Sequence, residues 1–510
     1  MRTINHILLS IFLICFLSLS LFGETDYADL FSDLSDDIEQ KSPDDIFNFE
    51  PDFKLSLSGE HEFEFHIPVI KGHMDFEGYV KSPKFKNDLG IEINYKILKL
   101  TSFWQLDLIM NQWGDWQQIL DARPDENYIA INPWKFKLSA GYMKYTWGTA
   151  DGFNPTDNIN PLDLRNTLDP VKIPLLSAYI GFFPIDQLSL EVIYAPFEQA
   201  DQSDIDLVDT LQSQYSAINP SLSINEKFSD YDLSSFILGG KVNFFFRYID
   251  FSLSYLYNSD SAYSPIIKKT TDPTGIGLYY IPSEIDLIKR RLHHFGSDFK
   301  TNVGIFGIWG EICFTLTEDY LLNSNQIRNH KLNWIAGLEF NYGPNDDFYF
   351  NIQYFEEFIF LFDQGFYQDY EDGNFTYSEN LNYYRDYYYR SMTDMLANQL
   401  QGLYQGLLIN MSWPVMNSLI TPSLITGYTL PLFYDYNHEI RYGTLIIKPE
   451  LDIMTIDSFH IVIGADLVFS WIKKEGEEVE INETDRFGVN YSNSNIYLEL
   501  RYKWGFDLQK

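Results

Sequence analysis

The chain has 510 residues, and 72 acidic side chains against 36 basic ones leave a formal charge of −36. That charge repels phosphate backbones and excludes nucleic acid as a partner, while a hydrophobic content of 45% excludes a disordered polymer. The only cysteines are Cys15 and Cys313, which excludes a disulfide framework and a multi-cysteine metal site.

Taken from the N-terminus, Arg2 precedes an apolar run over 7–22 and then Gly23. The run is shorter than the roughly 20 residues a membrane-spanning helix needs. With its basic flank and small residues at the end, it predicts a cleaved secretory signal over 1–23. Residues 24–52 are acidic, with Lys41 as their one base, and Tyr27, Leu30, Phe31, Leu34 and Ile38 recur at helical spacing. Two readings stand for this piece, a solvated tail or a small plug folded into a lumen.

From 53 to 506 the pattern changes to period two. Ile496, Leu498, Leu500, Tyr502, Trp504 and Phe506 fall on one face of a strand, and Tyr497, Glu499, Arg501 and Lys503 on the other. Phe459, Ile461, Ile463, Leu467, Phe469 and Trp471 alternate in the same way with His460, Val462, Asp466 and Ser470. A helix of period 3.6 would mix both sets. The runs exceed the usual soluble strand of about 5–6 residues, and tight turns alternate with long connections. This predicts an all-β fold: a single transmembrane antiparallel β-barrel with short periplasmic turns and long outer loops. Counting the runs gives about eighteen strands if 67–87 is one outer loop, with sixteen as the alternative. Long connections are expected near 112–126, 148–173, 197–232, 259–289, 318–328, 363–400, 431–437 and 474–492. Residues 507–510 read as a C-terminal extension.

No catalytic signature is present, and no metal or cofactor site is expected. His293 and His294 are neighbours on a strand and point to opposite faces. Ser458, His460 and Asp466 share a face, but adjacent positions there lie roughly 6.6 Å apart, beyond direct Ser–His proton transfer. His460, Glu499 and Arg501 are therefore lumen-facing candidates. The aromatic cluster at 383–390, YYRDYYYR, is either a self-packed outer loop or a stacking surface for a ligand.

The most distinctive stretch follows Tyr142. If Phe136, Leu138, Ala140 and Tyr142 face lipid, then Met143, Tyr145 and Trp147 launch the next loop from the inner wall. That loop holds Asn154-Pro155 and Asn160-Pro161, which favour turns, and Asp151, Asp157, Asp163 and Asp169 at six-residue intervals, with Arg165 among them. It reads either as an ordered outer rim or as an inward-folded constriction. In the constriction reading the four aspartates supply acceptors for cations and Arg165 is the main counter-charge. The pattern W-G-x-x-x-x-F-N-P-x-D-x-x-N-P-x-D, beginning at Trp147, resembles bacterial outer-membrane barrels of the porin-like and alginate-export-like families over roughly 88–200. The resemblance implies passage of a solute and does not name it. The leading expectation is an outer-membrane channel of a diderm bacterium, with membrane lipids, the barrel-insertion machinery and an unidentified small solute as partners and an open oligomeric state. The alternative is a surface-exposed structural or adhesin barrel acting through its long loops.

Overall fold

Within hydrocarbon every backbone N–H and C=O needs a partner from the chain, and a sheet meets that demand only when its first and last strands pair. The computed structural model describes residues 53–70, 73–74, 81–110, 118–150, 152–164, 170–202, 222–227, 233–271, 281–343, 347–362, 402–429, 440–456, 458–474, 480–481 and 494–509, with 389–390, 392–394, 396–397 and 399. The first six long strands are β1 (Lys54–Ile70), β2 (Lys81–Tyr95), β3 (Leu98–Met110), β4 (Gln118–Ile131), β5 (Phe136–Met143) and β6 (Leu175–Ile185). Next come β7 (Leu188–Ala195), β8 (Ile237–Phe245), β9 (Asp250–Thr271), β10 (Ile281–Val303), β11 (Phe306–Thr317) and β12 (Lys331–Tyr342). The last six are β13 (Phe348–Ile359), β14 (Leu403–Ser412), β15 (Ile420–Thr429), β16 (Ile440–Ile456), β17 (Phe459–Lys474) and β18 (Asn495–Gln509). Each pairs antiparallel with its sequence neighbour, and β1 pairs with β18 from Lys54↔Gln509 to Pro68↔Asn495. The result is a closed eighteen-stranded antiparallel barrel. No helix among the described residues is long and apolar enough to cross a membrane.

The alternation sorts the two faces. Leu89, Ile91, Ile129, Leu138, Leu238, Leu253, Ile312, Ile463 and Phe469 are large, exposed and apolar, and they form the outer belt that a bilayer covers. Their strand neighbours Thr101, Ser139, Ser189, Lys241, Ser252, Asp298, Glu311 and Asp466 are buried and face in. At the short-turn end, Tyr95, Trp134, Phe246, Tyr248, Tyr342 and Trp413 are exposed, as amphipathic rings are at a membrane interface. Lys96, Lys135 and Arg247 sit over the rings of Tyr95, Trp134 and Tyr248.

The outer face also carries polar groups at the closing seam, and these are saturated. Trp504 Nε1 donates to His61 Nε2 (3.2 Å). That leaves Nδ1 as the protonated ring nitrogen, which donates to Asn87 Oδ1 (2.8 Å). Asn87 Nδ2 then donates to the Leu106 carbonyl (3.2 Å). A one-way chain of this kind offsets the penalty of an unpaired polar group in lipid.

Three connections are shorter than the sequence pattern suggests. Strands β9 and β10 run through most of 259–289, β4 begins at Gln118, and β1 and β2 extend into 67–87. In Asn258-Ser259-Asp260-Ser261 both faces are polar, so the alternation vanishes although the ladder continues. Its register with β10 shifts between Ser259 and Tyr263, the irregularity of a β-bulge, and Asn258, Ser259 and Asp260 are buried. Beside it, Tyr389, Arg390, Met392, Thr393, Asp394 and Leu396 are helical. Met392 packs on Ile285, Leu287 and Leu222, and Arg390 Nε pairs with Asp394 (2.8 Å). The rest of the aromatic cluster, 383–388, lies outside the described residues, as do 1–52. Strand β18 continues through Asp507 and Leu508 to Gln509.

Ile91 on β2 and Ile425 on β15 are almost equally exposed, at 45% and 41%, but register places Ile91 outward and Ile425 inward beside Lys448. Ile91→Arg is expected to lower barrel stability in lipid by about 2–4 kcal/mol, and Ile425→Arg by under about 1 kcal/mol. Equal losses in urea titrations of the refolded barrel would contradict the assignment of faces.

Candidate functional site

After β5 the chain turns into the barrel instead of away from it. Met143, Tyr145, Trp147 and Ile159 are buried in one cluster with Leu175 of β6, Ile193 and Ala195 of β7, Ile237 of β8 and Leu256 of β9. The strand register puts Ile193, Ile237 and Leu256 on the inner face, so the described residues of the segment from 144 to 164 lie against the inside wall. Trp147 lies where a side chain on Gly239 would be, and only glycine there admits the indole.

Further along, the segment reaches strands remote from its origin. Phe153 packs on Phe355 of β13 with ring centroids 4.9 Å apart. Ala150, Phe153 and Leu408 cover Trp309 and Ile335, which belong to β11 and β12. Glu311 of β11 accepts from the Thr149 and Ala150 amides, the latter at 2.6 Å, and from Thr156 Oγ1 at 3.0 Å. Bonds to a charged acceptor contribute roughly 1.5–3 kcal/mol each.

The two Asn-Pro turns are anchored by their asparagines. Asn154 Nδ2 donates to the Trp147 carbonyl (2.8 Å), and its Oδ1 receives the Thr156 hydroxyl (3.2 Å). Asn160 ties both ends of the segment together. Its Oδ1 accepts from the Tyr145 amide (2.7 Å), while Nδ2 donates to the carbonyls of Met143 (3.1 Å) and Ile173 (2.9 Å). Leu162–Asp163 then pairs with Val171–Lys172 as a two-residue ribbon. Asp163 also bridges in parallel to Gln202, and Leu162 N donates to Asp201 (2.8 Å). The segments before β6 and after β7 are thus bonded to each other.

The carboxylates of this segment are not free. Asp157 pairs with Lys172 at 2.5 Å, and Asp163 with Arg123 of β4 at 2.9 Å. Burial pushes the Asp157 carboxyl upward against the pull of Lys172. Among the described residues the counter-charges of Asp157 and Asp163 are therefore Lys172 and Arg123. Asp151, Arg165 and Asp169 lie outside the described residues. Glu311 was missed, although it had a signal: it is the only charge in β11, FGIWGEICFTLT. Lys172 was missed because it sits beyond the last aspartate.

The opposite wall is built differently. Glu499 is buried and pairs with Arg501, whose Nε also meets Glu60 at 3.2 Å. Lys86 bridges Glu62 (3.1 Å) and Glu64. His460 Nδ1 pairs with Asp452 at 2.9 Å, Lys448 with Asp466 at 3.6 Å, and Tyr497 donates to Glu450 at 2.8 Å. Ser458 lies in the turn before β17 with a φ of 84°, so Ser458, His460 and Asp466 form no relay. His293 bonds Tyr255 (2.8 Å) while His294 faces in, between Thr315 and Asn258 at 3.1 Å each. Carboxylate oxygens of Glu62, Glu64 and Glu499 lie within 4.8 Å of one another, the spacing of a cation site, with Lys86 and Arg501 supplying the positive charge.

No protein-family model matches the chain, and no curated protein matches it. Solved structures do. Pseudomonas aeruginosa OccK9 (OpdG) aligns over 90% of this chain and 99% of its own at 9% identity, with a TM-score of 0.47. OccK3 (OpdO) of the same organism aligns over 90% and 96% at 8% identity and 0.47. Acinetobacter baumannii OccAB4 aligns over 90% and 99% at 7% identity and 0.45.

Glu198, in the segment after β7, accepts from the Ser259 amide at 2.9 Å and lies 4.0 Å from Arg291. Burial raises its carboxyl to about 7, against the Ser259 bonds and the charges of Lys289 and Arg291. An acid raised above its ordinary 4.5 contributes stability that is complete below that value and is lost as pH rises through about 7. Docking of 196–202 should weaken from pH 5 to pH 8, by on the order of 3 kcal/mol at most. Hydrogen exchange of those amides, corrected for intrinsic rate, should show this, and Glu198→Gln should abolish it. A pH-independent exchange free energy in the unaltered chain would contradict the burial assigned to Glu198.

Proposed function

We propose that the chain is an outer-membrane channel of a diderm bacterium that passes small solutes, cations preferentially, between the inward segment and the wall from β16 through β18 to β2. An eighteen-stranded barrel is wide enough to hold water, and the segment from 144 to 164 narrows it from the β4–β14 side. The observation that carries the reading is the charge of the remaining wall. Among its described side chains, Glu450, Asp452, Asp466, Glu499, Glu60, Glu62, Glu64, Asp88 and Glu92 exceed Lys448, Arg501, Lys503 and Lys86, while Lys54 and Asp507 pair with each other at 3.4 Å. Low-dielectric walls focus such a field into the lumen, and the Debye length of about 8 Å at physiological salt leaves it incompletely screened.

This places the selectivity on the wall rather than on the aspartates of the loop, two of which are neutralised by Lys172 and Arg123. An acidic wall also disfavours a polyanion, so the likeness to alginate-export-like barrels concerns the loop pattern and not the cargo. Reversal potentials of the purified barrel in planar bilayers under a potassium chloride gradient test the reading. The unaltered channel should favour the cation. Combined Glu60→Gln, Glu62→Gln and Glu450→Gln should reduce that preference, whereas Asp163→Asn should leave it nearly unchanged. Anion preference would overturn the charge argument, and a folded barrel without current would favour a surface protein acting through its loops.

A further inference from the structure

Glu311 stands out within the lumen. Its strand neighbours on the inner face are Trp309 and Cys313, both buried, so nothing on β11 itself calls for a carboxylate there. What meets it comes from the inward segment: the amides of Thr149, Ala150 and Thr156 and the Thr156 hydroxyl. Successive amides around one anion form a concave donor set. The backbone reaches it only because residue 148 is glycine. Gly148 has a φ of +99°, and a Cβ there would collide with the Glu311 carboxylate and approach Asn154 Oδ1 to 2.6 Å. The turn that Gly148 launches and the residue that receives it are therefore matched across the sequence, Thr149 lying 162 positions from Glu311.

We infer that Glu311 is the positioning residue of the constriction: one wall carboxylate, admitted by Gly148, holds the turn carrying Thr149, Ala150 and Thr156 across the lumen, and its loss releases that turn and widens the pore. The inference rests on the channel reading for its consequence, a wider pore, but not for the latch itself. The apolar contacts of Phe153 with Phe355 give the released segment no fixed register, whereas the donors around Glu311 specify one.

The test reads the latch without current. In a chain with Cys15→Ser and Cys313→Ser, a thiol introduced by Ala150→Cys is labelled with a water-soluble maleimide in the refolded barrel. Ala150 packs on the Trp309–Ile335–Phe355 cluster, so labelling should be slow. Adding Glu311→Gln should accelerate it about tenfold or more, the factor expected when charge-assisted bonds are lost. Gly148→Ala should do the same, and Thr156→Val should act more weakly because only the hydroxyl bond is removed. A control thiol from Ser423→Cys on β15 should keep its rate, which general loosening of the barrel would change. Unaltered Ala150→Cys labelling in a heat-modifiable Glu311→Gln barrel would overturn the inference. If Glu311→Gln does not fold, Gly148→Ala and Thr156→Val decide the question in its place: faster labelling upholds the latch and unchanged labelling overturns it. Conductance, measured in parallel, should rise with labelling. Faster labelling in a barrel that never conducts would uphold the latch and remove the channel reading, and conduction with unchanged labelling would do the reverse.

Discussion

Glu311 sits on the inner face of an otherwise uncharged strand and accepts three amides and a hydroxyl from a segment that began six strands away. Without that attachment the turn from Thr149 to Phe153 would meet the far wall through apolar contacts, which alone do not fix a register, while Asn160 and Asp163 would still hold the later part of the segment near β4 to β6. With it, Asn154 bonds the Trp147 carbonyl, the Asn160 turn closes the base, and Asp157 pairs with Lys172 just before β6. The segment after β7 then docks on the first through Asp201 and Gln202. The interior is thus ordered from one carboxylate outward.

The barrel itself follows from a different constraint. Lipid supplies no hydrogen bonds, so closure between β1 and β18 is obligatory, and the seam is reinforced on both faces. Outside, Trp504, His61 and Asn87 form a saturated chain across β18, β1 and β2. Inside, Arg501, Glu60, Lys86 and Glu62 cross the same strands as ion pairs. Half-buried pairs lining water contribute little individually. Their role here is to keep many carboxylates on one wall without unfolding it, while leaving an excess of negative charge facing the lumen.

Much of this was legible in the sequence. Period-two alternation over 459–471 and 496–506 assigns both faces of β17 and β18, and Gly343 and the tight turns near it mark where the ladder reverses. The alternation fails where polar partners cover a strand. Asn258, Ser259 and Asp260 are all buried and meet His294, Glu198 and Arg328, so the run from Asn258 to Ser261 looks like a loop and is strand. The inward segment was legible as an ordered object, since Asn-Pro pairs and aspartates at regular spacing resemble capped turns. Its ion pairs were not. Asp163 meets Arg123 across 40 positions and Thr149 meets Glu311 across 162. Such partners are chosen by barrel curvature and strand stagger, which no local pattern encodes. A lone glutamate in an apolar strand was the available hint, because an inward charge in such a setting requires a partner from elsewhere.

The inward segment crosses the lumen to the β11–β14 side. The direct measurement is cross-linking of a Phe153→Cys, Phe355→Cys chain, with Cys15 and Cys313 replaced by serine, using a short bis-maleimide in the folded barrel. The native rings lie 4.9 Å apart, so efficient intramolecular linkage is expected, seen as altered mobility of the denatured chain, and none when Phe153→Cys is paired with a thiol on the outer face at Ile91. Absence of the 153–355 link in a properly closed barrel would contradict it.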